Sequence, residues 1–136
     1  MIHPQHYKFQ QMIRPVDTGA GTATDVEVDT KGYDYLTVIV QLGNVAANMS
    51  YLKLQESDSS GSGEADFTGS AWTNPTSSDD NKLYVAFVDL RKRKRYISIV
   101  ATGTGVTLIS ACGILSRAEV TPTSATERGA AEQLIP

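Results

Sequence analysis

The segment from Tyr33 to Gly43 reads YDYLTVIVQLG, and it decides the class of fold. It is rich in aromatic and β-branched residues, which favour extended strands. Successive side chains of a strand point to opposite faces, so one face of this segment is wholly apolar. Its members are Leu36, Val38, Val40 and Leu42. The opposite face mixes in polar groups, so we expect the apolar face to pack against the core.

Segments of the same character lie on both sides of this strand. Upstream, TATDVEVDT (22–30) alternates, with Val26 and Val28 on one side. Downstream come SYLKLQES (50–57), NKLYVAFVDL (81–90), RYISIVATG (95–103) and GVTLISACGILS (105–116). No segment keeps a helical period over three turns, so helices to connect parallel strands are absent. The pattern predicts an all-β fold, an antiparallel β-sandwich or jelly roll.

The 136 residues predict a single domain with flanking segments. We assign residues 22–116 to the β-sandwich, with a long polar loop at 57–81 in which ADFTG (65–69) could form a short strand. Residues 1–21 contain two prolines and alternate weakly, which predicts an N-terminal arm that a neighbour orders. Within it only YKFQQMI (7–13) could form a short strand. Residues 117–136 predict a C-terminal tail. We expect the body to fold without the arm.

Composition excludes several classes of function. The net charge is −3, whereas a dedicated nucleic-acid binder is usually basic. Cys112 is the single cysteine and fits a small buried side chain. No apolar run is long enough to span a membrane, and the N-terminus lacks the apolar core of a secretory signal. We therefore expect synthesis in the cytoplasm and no membrane partner.

Catalytic side chains are scarce. The two histidines, His3 and His6, both lie in the predicted arm, so a nucleophile on the body has no rigidly held base. Phosphate-loop, HExxH and CxxC motifs are missing. We predict a protein that is not an enzyme and needs no cofactor or metal. Acids near the polar loop could supply calcium ligands, but we favour their role as turn formers. They are Asp58, Glu64, Asp66, Asp79 and Asp80.

A basic run, Arg91 to Arg95, lies between two predicted strands. Three interpretations compete. The run could be a nucleic-acid patch or targeting signal, although it has no interleaved aromatic residues. It could be a structural connection fixed by an ion pair between Asp89 and Arg95, which we favour. It could also contact an acidic protein partner, which is compatible with the structural role.

Several stretches together resemble a known family. They are DTKGYDYLTVIVQLG (29–43), LKLQESDSSGSG (52–63), DDNKLYVAFVDLRKRKRYISIVATGTG (79–105) and GILSRAEVTPTSATERGAAEQLIP (113–136). In this order they are similar to head decoration, or cement, proteins of tailed bacteriophages. The resemblance covers about residues 22–136. It implies an all-β virion protein on the capsid exterior, commonly a homotrimer, that clamps subunits of the major capsid protein and does not touch the packaged DNA.

On this resemblance, the arm, the tail and the basic run are the expected contacts with the capsid or a sister subunit. The candidates are Tyr7, Phe9, Arg14, Trp72, Arg91, Lys92, Arg93, Lys94, Arg117, Arg128 and Leu134. Two alternatives remain open. One is a phage head-fibre or tail module that binds a host-surface glycan on an aromatic platform of Tyr33, Tyr35, Tyr51 and Trp72. The other is nucleic-acid binding through the basic run.

Overall fold

The computed structural model describes residues 6–23 and 27–134. These ranges contain eight β-strands and no α-helix. The strands are β1 (Lys8–Asp17), β2 (Val28–Asp29), β3 (Tyr33–Val45), β4 (Tyr51–Ser57), β5 (Ala65–Ala71), β6 (Leu83–Asp89), β7 (Tyr96–Thr102) and β8 (Thr107–Ala118). The 3₁₀ turn Leu90–Lys92 follows β6 and leads towards β7. Among the described residues, no helix is long and apolar enough to cross a membrane.

The strands form two four-stranded sheets in a nested order. Sheet A has the order β1-β8-β3-β6, and sheet B has the order β2-β7-β4-β5. The first strand pairs with the last, the second with the seventh, the third with the sixth and the fourth with the fifth, all antiparallel. This is one long hairpin of strands rolled into two layers, which is the jelly-roll arrangement. The predicted all-β sandwich is therefore confirmed.

The core lies between the two sheets. From sheet A it takes the predicted face of β3, in which Leu36, Val38, Val40 and Leu42 are all at most 4% exposed. Sheet B contributes the inward side chains of β4 and β7, which are Leu52, Leu54, Ile97, Ile99 and Ala101. Because both layers bury an alternating apolar face, the core is continuous from one sheet to the other.

The predicted N-terminal arm is wrong for residues 8–17, which form β1 at one edge of sheet A. Met12 and Ile13 are 0% and 1% exposed and belong to the core. The register shifts between Gln11 and Ile13, so two consecutive side chains point inwards. Such a β-bulge breaks the period of two, which is why the segment alternates weakly in the sequence. His3 lies outside the described residues.

The polar segment 57–81 contains β5, which includes the ADFTG stretch (65–69) that the sequence indicated as a short strand. One predicted boundary moves. The body does not end at residue 116, because β8 continues to Ala118.

The C-terminal segment folds back onto β1. The Phe9 backbone N–H donates to the Arg128 carbonyl at 2.6 Å, and the Arg128 side chain is buried, with its guanidinium donating to the Pro122 carbonyl. Gly129 has a φ of 73°, and a Cβ there would lie 1.8 Å from the Phe9 carbonyl oxygen. Only glycine permits this close approach.

We expect Met12→Ala to lower the free energy of unfolding by about 2–4 kcal/mol, because it removes a fully buried side chain from the core. Urea denaturation followed by circular dichroism measures this change. Arg14→Ala, on the exposed side of the same strand, is the control and should change stability by no more than about 0.5 kcal/mol. Equal, small effects of both substitutions would show that β1 is a dispensable arm.

Candidate functional site

The basic run begins with a local ion pair. Asp89 ends β6 and caps the 3₁₀ turn, accepting a hydrogen bond from the Arg91 backbone N–H at 3.1 Å. The Arg91 guanidinium also donates to both carboxylate oxygens of Asp89, at 2.9 and 2.7 Å. These bonds lower the pKa of Asp89 from its usual 3.8 to about 2. Arg91 in addition lies over the Tyr35 ring, 5.3 Å from its centre.

The predicted pair between Asp89 and Arg95 is wrong. Arg95 instead donates to both carboxylate oxygens of Asp29, at 2.8 and 2.7 Å, and this lowers the pKa of Asp29. The pairing of β2 with β7 places Asp29 opposite Tyr96, next to Arg95. Asp89 is meanwhile occupied by Arg91 within its own turn. Sequence proximity suggested the wrong partner because the correct one lies 66 residues away.

The rest of the run is also paired, with one exception. Arg93 lies 3.7 Å from Glu56 and 4.8 Å from the centre of the Phe67 ring, and Lys94 lies 3.1 Å from Asp58. Lys92 is exposed and makes no ion pair within the part of the chain that the structure describes. Four of the five charges are therefore matched by acids of the same chain, and the run does not form an unpaired basic patch.

The outer face of sheet A is apolar across two adjacent rows. In each row, residues of neighbouring strands lie directly opposite one another. The first row is Phe87, Thr37, Ile114 and Phe9, and the second is Val85, Ile39, Cys112 and Gln11. None of these eight side chains carries a formal charge at neutral pH. Contiguous apolar surface of this kind marks interaction sites on soluble proteins.

The most exposed part of this face is the apolar stripe, defined as Leu83, Val85 and Phe87 on the edge strand β6. These side chains are 61%, 41% and 83% exposed. The stripe was not predicted from the sequence. The signal was present, because positions 83–88 read LYVAFV, apolar on both faces of a strand that has a core on only one side.

A shallow hollow lies on the same outer face, towards the opposite edge of the sheet. Its volume is about 470 Å³. It is lined by residues of β1, β8 and β3, among them Phe9, Gln11, Ile39, Ser110 and Cys112, and by Gly129 of the C-terminal segment. The apolar stripe and this hollow thus lie on the same face of sheet A.

Trp72 links the two sheets through their edge strands, β5 of sheet B and β6 of sheet A. Its indole N–H donates to the Val85 carbonyl at 3.1 Å, which links the end of β5 to the edge strand β6. The indole and Phe67 line a cleft of about 400 Å³ between these two edge strands. Trp72 therefore anchors onto its own domain and occupies one of the edge carbonyls of β6.

The remaining predicted contact residues are spread over the body. Arg14 is exposed on β1, and Tyr7 precedes that strand and is half-buried. Arg117 lies 3.5 Å from Asp34 and 5.9 Å from the centre of the Tyr35 ring. Leu134 is 87% exposed in the C-terminal segment. Tyr7 and Arg117 line one hollow together with Tyr35, whereas Arg14 and Leu134 are not among its lining residues.

The proposed aromatic platform is not assembled. Tyr35 and Tyr51 neighbour the buried residues Leu36 and Leu52 on β3 and β4. They therefore point outwards from sheet A and sheet B respectively, on opposite sides of the sandwich. The two rings cannot stack on one glycan.

The acids near the polar loop bond mainly to side chains and backbone of their own chain. Asp66 pairs with Lys53 and Asp79 with Lys82, both at 2.8 Å, while Asp80 accepts from the Val45 backbone N–H. Within residues 6–23 and 27–134, no group of three or more His, Cys, Asp or Glu side chains is placed to hold a metal ion.

Comparison with known proteins identifies no relative by sequence: no family model matches this chain, and no curated protein matches it.

The corrected pairing makes a prediction about titration. We expect Arg91→Gln to raise the pKa of Asp89 from about 2 towards 3.8 and to leave the pKa of Asp29 low. Arg95→Gln should instead raise the pKa of Asp29 and leave the pKa of Asp89 low. Because both carboxyl pKa values are lowered by folding, each pair stabilises the protein above pH 4, and the stabilisation is lost as pH falls through the lowered values. NMR titration of the carboxyl carbons reads each site separately. A rise in the pKa of Asp89 on Arg95→Gln would restore the pair predicted from the sequence.

Proposed function

We propose that this protein is a decoration, or cement, protein of a tailed-bacteriophage head. In this role it binds the outside of the capsid and stabilises contacts between subunits of the major capsid protein. It works as a structural virion protein, self-associated as a homotrimer, and not as an enzyme.

The observation that carries the proposal is the pair of uncharged, largely apolar rows on the outer face of sheet A, with the exposed apolar stripe at their edge. Such a face is unfavourable in water and is stabilised when another protein covers it. In a protein that assembles in many copies, such a surface stabilises the contacts with its neighbours. A catalyst instead needs a pocket with convergent polar groups. Jelly rolls are used in viral capsid proteins, so the fold agrees with the family that the sequence resembles.

The pairing within the basic run supports a role away from DNA. Arg91, Arg93, Lys94 and Arg95 each have an acidic partner in their own chain. A phosphate backbone would have to compete with these pairs, and the chain as a whole is negatively charged. The position of Lys92, exposed beside the cleft between β5 and β6, leaves it available to an acidic protein surface.

Capsid attachment suits such a module because the shell presents the same site many times. Each copy can then bind by a modest interface, and a multimer that engages several sites at once gains affinity without new contacts. Exposed apolar side chains in the C-terminal segment, Val120 and Leu134, add further contact candidates outside the sheet.

The direct test is addition of the purified protein to heads that lack it. The heads are assembled from the major capsid protein of the phage whose genome encodes this chain, and bound protein is measured by co-sedimentation and gel densitometry. We expect saturable binding in a fixed ratio to the capsid protein, and an increase in the temperature at which the heads rupture. Absence of saturable binding would contradict the proposal. Naked DNA at the same salt concentration is the control and should not be retained.

A further inference from the structure

The cleft between the edge strands β5 and β6 has room for a short segment of another chain. Its volume of about 400 Å³ lies at the lower end of the range for ligand clefts, about 300–1,000 Å³. One wall is the edge of β6, and the other is the run of small residues 68–71 on β5. Apart from the chain neighbours of Gly69, no described residue comes within 4 Å of the place where a Cβ of Gly69 would stand. The wall of β5 therefore allows a backbone to approach closely.

The edge of β6 presents backbone hydrogen-bonding groups to this cleft. In an antiparallel ladder, the N–H and C=O of one residue point to the same side, and those of the next residue to the other. The Leu42 N–H donates to the Lys82 carbonyl, so the even-numbered residues that follow face β3. The Val85 carbonyl faces away from β3 and accepts from the Trp72 indole. The N–H and C=O of Phe87, two residues further on, therefore point into the cleft.

Other parts of the chain cover neighbouring edge groups but not those of Phe87. At the far edge of sheet A, the Phe9 N–H donates to the Arg128 carbonyl of the C-terminal segment. At the near edge, Trp72 occupies the Val85 carbonyl. Within the part of the chain that the structure describes, no strand lies beyond β6 to pair with Phe87. Folded proteins usually protect such an edge, because it pairs with an extended segment that reaches it. An edge left open beside a cleft is where an extended peptide adds as a further strand.

Aromatic side chains give the cleft an apolar floor. Phe67 and Trp72 are partly buried and pack against the core, and both line the cleft. Leu54, which is 1% exposed, lies among the lining residues beneath them. An apolar side chain of the added strand would bury its surface against these groups, which favours binding.

The charges near the end of β6 select a second feature of the bound segment. Asp89, Lys92 and Arg93 are the charged residues that line the cleft. Asp89 is paired with Arg91, and Arg93 lies 3.7 Å from Glu56. Lys92 is exposed and makes no ion pair within residues 6–23 and 27–134. A carboxylate on the bound segment therefore finds an available cation at this end, and the pair orients the segment along the cleft.

We propose that the cleft binds an extended, acidic segment of another protein, which adds as a strand to β6 at Phe87 and pairs a carboxylate with Lys92. Backbone hydrogen bonds supply affinity for an extended chain, while the aromatic floor and the ammonium group supply specificity. The proposal goes beyond the proposed function and rests on neither head binding nor self-association. Head binding is measured separately, so failure of either proposal leaves the other standing.

Selection from a library of random linear peptides, displayed on filamentous phage, tests the proposal with the full chain as bait. We expect the enriched peptides to combine β-branched or aromatic residues with Asp or Glu. An enriched peptide without tryptophan is then synthesised as the probe. Its affinity is read from the fluorescence of Trp72, the single tryptophan of the chain, which lines the cleft. A selection that enriches no sequence, or only sequences without an acidic residue, would overturn the proposal.

Amide hydrogen exchange, read by NMR, tests the backbone contact in the complex with this probe. The Phe87 N–H points into the cleft, whereas the Val88 N–H points towards β3 inside the sheet. We expect the probe to slow exchange at Phe87 by about tenfold or more and to leave the rate at Val88 unchanged. If exchange at Phe87 is the same in the free protein and in the saturated complex, the added strand is rejected.

A charge reversal at Lys92 tests the carboxylate pair. We expect Lys92→Glu to weaken binding of the probe by about tenfold or more, and Lys92→Arg to retain it. Lys31→Glu is the matched control, because Lys31 is also exposed but does not line the cleft. Circular dichroism checks each fold, and Lys92→Gln replaces Lys92→Glu if the latter fails to fold. Equal weakening by Lys92→Glu and Lys31→Glu, or no weakening by either, would contradict the proposal.

Discussion

The register between β3 and β8 is the constraint on which the rest of the structure depends. Their ladder runs from Tyr33 opposite Ala118 to Val45 opposite Thr107. It sends Val40 and Ala111 into the core and sets Ile39 and Cys112 side by side on the outer face. A slip of one residue would exchange the two faces of a strand, exposing the core residues and burying the outer rows. Core and candidate interaction surface are thus two consequences of one pairing.

The electrostatics of the basic connection follow from the same topology. The turn after β6 is capped by Asp89 and held by Arg91, while Arg95 reaches Asp29 through the neighbouring pairing of β2 with β7. These ion pairs are partly exposed, so each contributes little to stability. Their effect is to fix the geometry of the connection and to match its charge within the chain. Within the described residues, the connection therefore presents one basic side chain without an ion pair, Lys92, and not a basic patch.

The sequence predicted the fold class well because the evidence for it is local. Alternation along β3 identified its buried face, and every residue of that face lies in the core. The prediction of an N-terminal arm was wrong for residues 8–17 because the bulge near Met12 breaks the alternation by which a strand is recognised in a sequence. The predicted ion pair between Asp89 and Arg95 was wrong because strand pairing decides which residues distant in sequence become partners, and a single sequence does not specify that pairing. The apolar stripe could have been predicted, since the unbroken run LYVAFV gives β6 an apolar side chain on both faces.

Oxidative footprinting of the unsubstituted protein tests most directly whether the outer face of sheet A is an assembly surface. Hydroxyl radicals modify accessible aromatic side chains, and mass spectrometry reports the extent at each residue. In a single chain Phe87 is 83% exposed and Tyr51 is 55% exposed. We expect Phe87 to be protected in the assembled protein while Tyr51 reacts freely. Reaction of Phe87 at the rate of a fully accessible phenylalanine would contradict it.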